Sequence, residues 1–194
     1  IQLLKYKGKF IKSQLYHDVF ADYLIGTIYN KTFLEFGATD GFELSNTYLL
    51  ENYSKWKGVL AEPDPQWHKQ LKKNRPNTKI ITDCIWKKSG ETVDFLSSED
   101  GVLSTINSFR YNDKQSMPTN AESRNKKFQT IKVNTVSLND LIKNEFNDVS
   151  PSYISIDTEG SEYEILKNFN FSKYNPIFLT IEHNFTSNQK YLDE

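Results

Sequence analysis

The chain has 194 residues, 37% hydrophobic and 14% aromatic, with 24 Lys and Arg against 25 Asp and Glu and a formal charge of -1. These proportions describe one soluble globular domain that can bury a core without staples, and the balanced charge argues against a general nucleic-acid binder. The single cysteine, Cys84, excludes an internal disulfide and a cysteine zinc cluster, and no run approaches the roughly 18 apolar residues of a membrane span.

The lone thiol fits a reducing, cytoplasmic compartment. Short basic clusters at Lys5 to Lys12, Lys69 to Arg75 and Arg124 to Lys127 read as solvated surface. The start at Ile1 and the closing "SNQKYLDE", which reads as the opening of another helix, suggest a domain taken from a longer protein.

In chain order, "QLYHDVFADYLI" (14–25) places Leu15, Val19, Tyr23 and Leu24 at helical spacing, so residues 1–30 form a helical lead-in. "TFLEF" is a strand, and "SNTYLLENY" a short helix with Ser45 as its N-cap. "WKGVLAE" is a second strand, followed by "DPQWHKQLKKN", a helix with Pro65 in its first turn. "TKIIT" is a third strand. "ETVDFL" and "QTIKVNTV" read as less buried strands flanking a polar stretch from Ser97 to Lys127 within a variable loop, 97–128. "SLNDLIKNE" starts with a capping-box-like Ser137 and Asp140. "SYISI" is a fourth apolar strand, "SEYEILKNF" a helix and "IFLTI" a fifth strand. Such alternation predicts an α/β fold with a mostly parallel sheet, helices on both faces and strands near 32–36, 57–61, 78–82, 153–157 and 177–182.

Each of these strands ends near an acid: Glu35, Glu62, Asp83, Asp157 and Glu182. Ligands of open α/β sheets bind outside the carboxyl ends of the strands. The loop after Glu35 carries Gly37, Asp40 and Gly41 but lacks the triple-glycine pyrophosphate cradle, and Asp40 would repel a phosphate. An acidic glycine loop suits a cofactor with a cationic end and free ribose hydroxyls. S-adenosylmethionine has both. Glu62 suits its ribose diol, and Asp83, beside the backbone of Cys84, suits the adenine amino group.

The stretches "FLEFGATDGFELSNTYLLENYSKWKGVLAEPDP", "VSLNDLI", "YISIDTEGSEYEILKNFNF" and "LTIEHNFT" resemble the FkbM-type methyltransferases, a branch of the Rossmann-like S-adenosylmethionine-dependent enzymes. The resemblance spans Thr32 to Thr186, apart from the variable loop. It implies the class I methyltransferase fold, with the whole chain one such domain. It also implies a cofactor set of Glu35, Phe36, Gly37, Ala38, Asp40, Gly41, Ser45, Asn46, Glu62, Pro63, Asp83, Cys84 and Asp157. "DTEG" and "EHN" would face the transferred methyl. The family's sheet carries two more strands after the fifth, and the sequence stops before them.

The family acts mostly on oxygen, often hydroxyls of sugars and secondary metabolites. Methylating an alcohol needs a base, and His183, directly after the fifth strand, is the best placed, with Glu182 or Asp157 to orient it. His17 and His68 have no comparable setting in the sequence. The alternative is a magnesium ion on Asp157, Glu159 or Glu182. The long loop and its "DGVLSTINSFRYN", with Ser104, Phe109, Arg110 and Tyr111, suit a sugar ring as acceptor. Fusion to a glycosyltransferase or other glycan-assembly domain is expected. Two other classes stay open: a non-catalytic cofactor-fold module of a glycan-assembly protein, and a nucleic-acid methyltransferase, disfavoured because "DTEG" stands where an amino-methylating [DN]-P-P-[YFW] would.

Overall fold

The structure is a computed structural model and describes residues 8–26, 30–98, 103–109, 128–182 and 189–192. After a short 3-10 turn (Gly8–Phe10), helix α1 (His17–Ile25) leads into strand β1 (Thr32–Phe36). Helix α2 (Tyr48–Asn52), strand β2 (Lys57–Ala61), helix α3 (Pro65–Asn74) and strand β3 (Lys79–Ile81) follow. Strands β4 (Cys84–Trp86), β5 (Thr92–Ser98), β6 (Thr105–Ile106) and β7 (Phe128–Ser137) come next. The described chain closes with α4 (Leu138–Glu145), β8 (Tyr153–Ile156), α5 (Glu162–Lys167), β9 (Phe178–Ile181) and α6 (Gln189–Leu192).

The apolar runs pair as an all-parallel sheet in the order β3-β2-β1-β8-β9. The strand order reverses between β1 and β8, the switch point of a Rossmann-like sheet. Because side chains alternate along a strand, each strand feeds two cores. Phe33, Leu60 and Tyr153 face Ala21 and Ile25 of α1, Leu49 and Leu50 of α2 and Leu71 of α3. Leu34, Phe36, Val59, Ala61, Ile154 and Ile156 face α4, α5 and a second sheet, ordered β4-β7-β5-β6. In that second sheet β7 runs antiparallel to β5 over Thr92 to Ser98 and parallel to β4.

Four features differ from the sequence reading. Strands β4 and β6, three and two residues long, are too short to show a period. Leu15, Tyr23 and Leu24 are exposed, whereas the buried face of α1 is Asp18, Ala21 and Ile25. Asp18 is tolerated there because it accepts hydrogen bonds from the Ser13 hydroxyl at 2.6 Å and Val19 N at 2.7 Å. Ser45 is not the cap of α2: the N-cap is Thr47, whose side chain makes no capping bond. Arg75 is not part of a solvated basic cluster but is fully buried. Asp64 and Ser137 do cap their helices, accepting from Gln66 N and Asp140 N. Among the described residues no helix is long and apolar enough to cross a membrane.

Candidate active site

The carboxyl ends of β1, β2, β8 and β9 open into a cleft of about 500 Å3, roofed in part by Gln14, Leu15 and His17 of the lead-in. Four of the five strand-end acids border it: Glu35, Glu62, Asp157 and Glu182.

Glu35 is in phase with Phe33 on β1, so it points toward the α1–α3 side. There its carboxylate accepts from Asn46 N at 2.7 Å, from Ser45 Oγ at 3.0 Å and from the Thr47 hydroxyl. Arg75 Nη1 stands 3.9 Å away, and the same guanidinium pairs with Glu51 and donates to Gly41 O and Ser45 Oγ at 3.2 Å. Burial pushes the Glu35 carboxyl up, and Arg75 and the hydrogen bonds offset part of that rise. Glu35 borders the cleft, but these partners occupy its oxygens, so it acts as a strut for the glycine loop rather than as a free anion for an ammonium group.

The glycines are required by the protein as well as by any ligand. Gly37 has φ +79°, and a Cβ there would lie 1.8 Å from the Asp157 carbonyl oxygen. Gly41, at φ +70°, lies outside the cleft wall and meets Leu71 and Arg75. Asp40 closes the loop by accepting from Phe42 N and Glu43 N at 2.8 and 2.9 Å. Phe36, Gly37, Ala38, Asp40, Ser45 and Asn46 border the cleft, and Asn46 Nδ2 donates to Ser155 Oγ at 2.9 Å.

Glu62, 4% exposed, accepts from Thr39 N and Asp64 N, each at 2.8 Å. Burial lifts its carboxyl to about 7, the two backbone donors oppose that rise, and the charge of Asp64 adds to it. Pro63 lies beside it in the cleft wall. Asp83 does not join them. Cys84, the first residue of β4, borders the cleft, while Asp83, in the bend before it, lies on a separate depression with Ser89, Asn134 and Asp140. Burial, then Glu62 and Asp83, push the Cys84 thiol up to about 12, so it is no thiolate nucleophile.

At the far end Asp157, Glu159 and Glu182 bring one carboxylate oxygen each within 4.8 Å of one another. Burial raises the Asp157 carboxyl well above its ordinary range, and Glu182, Glu159 and Glu162 add to the rise. Glu159 has φ +57°. Its turn is held from behind by the buried Glu162, which accepts from Thr158 N, Thr158 Oγ1 and Gly160 N at 2.9 to 3.0 Å. His183 follows immediately but lies outside the described residues.

On the loop side, Ser104 borders the cleft and donates to Asp64 Oδ2 at 2.9 Å. Thr105 Oγ1 donates to Glu159 O at 3.0 Å, which ties β6 to the acidic turn. Phe109 is a core residue rather than a stacking platform: it is buried edge-on against Trp86, ring centroids 5.6 Å apart. Arg110 and Tyr111 lie outside the described residues. Of the other histidines, His68 Nε2 bonds to Glu62 O at 2.8 Å, whereas His17 borders the cleft.

Sequence reading missed Asp64, Glu162 and His17. Asp64 followed by Pro65 carries a helix-start signal that marks it, and Glu162 sits in the first turn of a helix after a glycine turn. Nothing local marks His17.

Residues 35–193 match the family model described as the methyltransferase FkbM domain. No curated protein and no solved structure matches the chain.

Proposed function

Because this chain belongs to the methyltransferase FkbM domain family, we propose that it moves a methyl group from S-adenosylmethionine to a hydroxyl of a sugar or glycan. The observation that supports this best is Glu62, a buried carboxylate fixed by two backbone N–H groups on the wall of an acid-lined cleft. Each of its oxygens keeps a lone pair for a ribose hydroxyl. The donor set fits the cofactor: Glu62 suits the ribose diol, the carboxylates of Asp157, Glu159 and Glu182 suit a cationic group, and apolar Ile85, Phe95 and Ile106 border the same cleft. When bound, S-adenosylmethionine supplies an electrophilic methyl group on a sulfonium.

The roles of the chain's own residues follow from this. Glu62 would hold the ribose, the backbone at Gly37 and Ala38 would follow the methionine end, and Asp157, Glu159 and Glu182 would face the cation. Asp83 is left out of that set by its position on the other depression. His183 takes the proton that the acceptor hydroxyl gives up.

Calorimetry with S-adenosylmethionine and turnover over a panel of methyl glycosides test this reading. Absence of cofactor binding would sink it. Binding with no glycoside methylated leaves a non-catalytic module or another acceptor. His183→Ala should lower turnover by roughly 10²–10⁴-fold at unchanged cofactor affinity. The convergence of Asp157, Glu159 and Glu182 favours one second reading, a magnesium ion polarising the hydroxyl. It holds if a chelator abolishes wild-type turnover while the His183→Ala variant stays active.

A further inference from the structure

The lead-in lies outside the family-matched stretch, yet it supplies to the cleft Gln14 and Leu15, just before α1, and His17, the first residue of that helix. One set of contacts ties the start of α1 to the segment before it, and another rests the helix on β9. Asp18, fully buried, gathers Ser13 Oγ, Val19 N and, at 3.4 Å, Lys12 N. Phe20 stacks on Phe178 of β9, centroids 6.5 Å apart. Thr180 and Glu182, further along the same strand, border the same cleft. One helical turn ahead of Phe20, His17 therefore sits on the β9 flank of the cleft and not on the Glu62 flank assigned to the ribose.

His17 Nδ1 is sealed from solvent and has no hydrogen-bond partner. A neutral imidazole has one N–H and one bare lone pair. An N–H sealed without an acceptor forfeits a hydrogen bond outright, and such orphans are rarer in native proteins than unsatisfied acceptors. The proton thus belongs on Nε2, the ring nitrogen left to meet a ligand. We propose that His17 is an acceptor-binding residue, with Nε2–H donating to an oxygen of the sugar held at the β9 side of the cleft. In that tautomer it cannot take the hydroxyl's proton, so it positions the acceptor and leaves the base elsewhere. This rests on the acceptor reading above.

Three variants separate the possibilities. The amide nitrogen of His17→Gln reaches the place of Nε2, that of His17→Asn only the place of Nδ1, and His17→Leu has no donor. With methyl glycosides as acceptors, KM should rise about ten- to hundredfold in the Asn and Leu variants, with kcat nearly unchanged. The Gln variant should stay within a few-fold of wild type. S-adenosylhomocysteine affinity should be unchanged in all three. Imidazole 15N spectra of the free wild-type protein should show the Nε2–H tautomer. A wild-type KM in the Leu variant, a loss of cofactor affinity, or an Nδ1–H spectrum overturns the proposal. If the wild type binds S-adenosylhomocysteine but methylates no glycoside, the proposed acceptor class fails, and the assignment of His17 to a sugar falls with it.

Discussion

Glu62 holds its charge where charge is costly. Two backbone donors fix the carboxylate, yet burial lifts it to about 7. Ribose hydroxyls donate to the ionised form, so binding should draw a proton off. S-adenosylmethionine affinity should therefore rise from about pH 6 to about pH 8, with proton release detectable by calorimetry in buffers of different ionisation enthalpy. Glu62→Gln should flatten that dependence, and Glu62→Ala should cost about 1–3 kcal/mol of binding. A flat wild-type profile would mean that Glu62 does not meet the ribose.

At the scale of elements, Arg75 clamps the end of α3 to the loop after β1. Its fully buried guanidinium faces Glu35, Glu51, Gly41 O and the Thr47 hydroxyl. Removing one partner of a buried ion pair strands the other, which typically costs 3–5 kcal/mol. Arg75→Met should thus lose roughly 3–5 kcal/mol in urea unfolding, and Glu35→Gln in the same chain should recover part of it. An effect of Glu35→Gln that is the same in the wild-type and Arg75→Met backgrounds would show the two residues uncoupled. The sequence carried little of this clamp. The five parallel strands were legible to within a residue or so at each end, because each is an apolar run closed by a turn or an acid. The partners of Glu35 lie 10 to 40 residues along the chain, and no local pattern couples them. The outward Tyr23 and Leu24 were misassigned because α1 has apolar residues on both sides and only packing decides which side turns inward, and Leu15 because the helix begins only at His17. Asp83 was placed on the cofactor because it ends a strand. Asp83 instead stands in the bend between β3 and β4 and borders a separate depression with Ser89 and Asn134.

Across the whole molecule, burial leaves the carboxyls of Asp18, Glu35, Glu62, Asp157 and Glu162 raised. Nearer the surface, Asp140 is lowered by Ser89 and Ser137, and Asp148 by Lys173 and Tyr174. The two groups act on opposite sides of the ordinary carboxylate range. A raised carboxyl keeps its proton in the folded state after the unfolded chain has lost it, so stability falls as pH climbs from the unfolded value toward the folded one. A lowered carboxyl withdraws its stabilisation as pH falls below the unfolded value. The buried set outnumbers the surface pair and is more strongly desolvated, so the ligand-free protein should be most stable on the acid side of neutrality, with stability falling as pH rises toward the value of about 7 that Glu62 reaches. Thermal unfolding from about pH 4 to about pH 8 tests this. Glu62→Gln should remove part of the decline toward pH 8, since the amide has no charge to desolvate. Saturating S-adenosylmethionine should raise Tm more at about pH 8 than at about pH 6, because the ligand meets the ionised form of Glu62. A ligand-free optimum at or above neutrality would show that the acids around the cleft are solvated or paired well enough to carry their charge without cost.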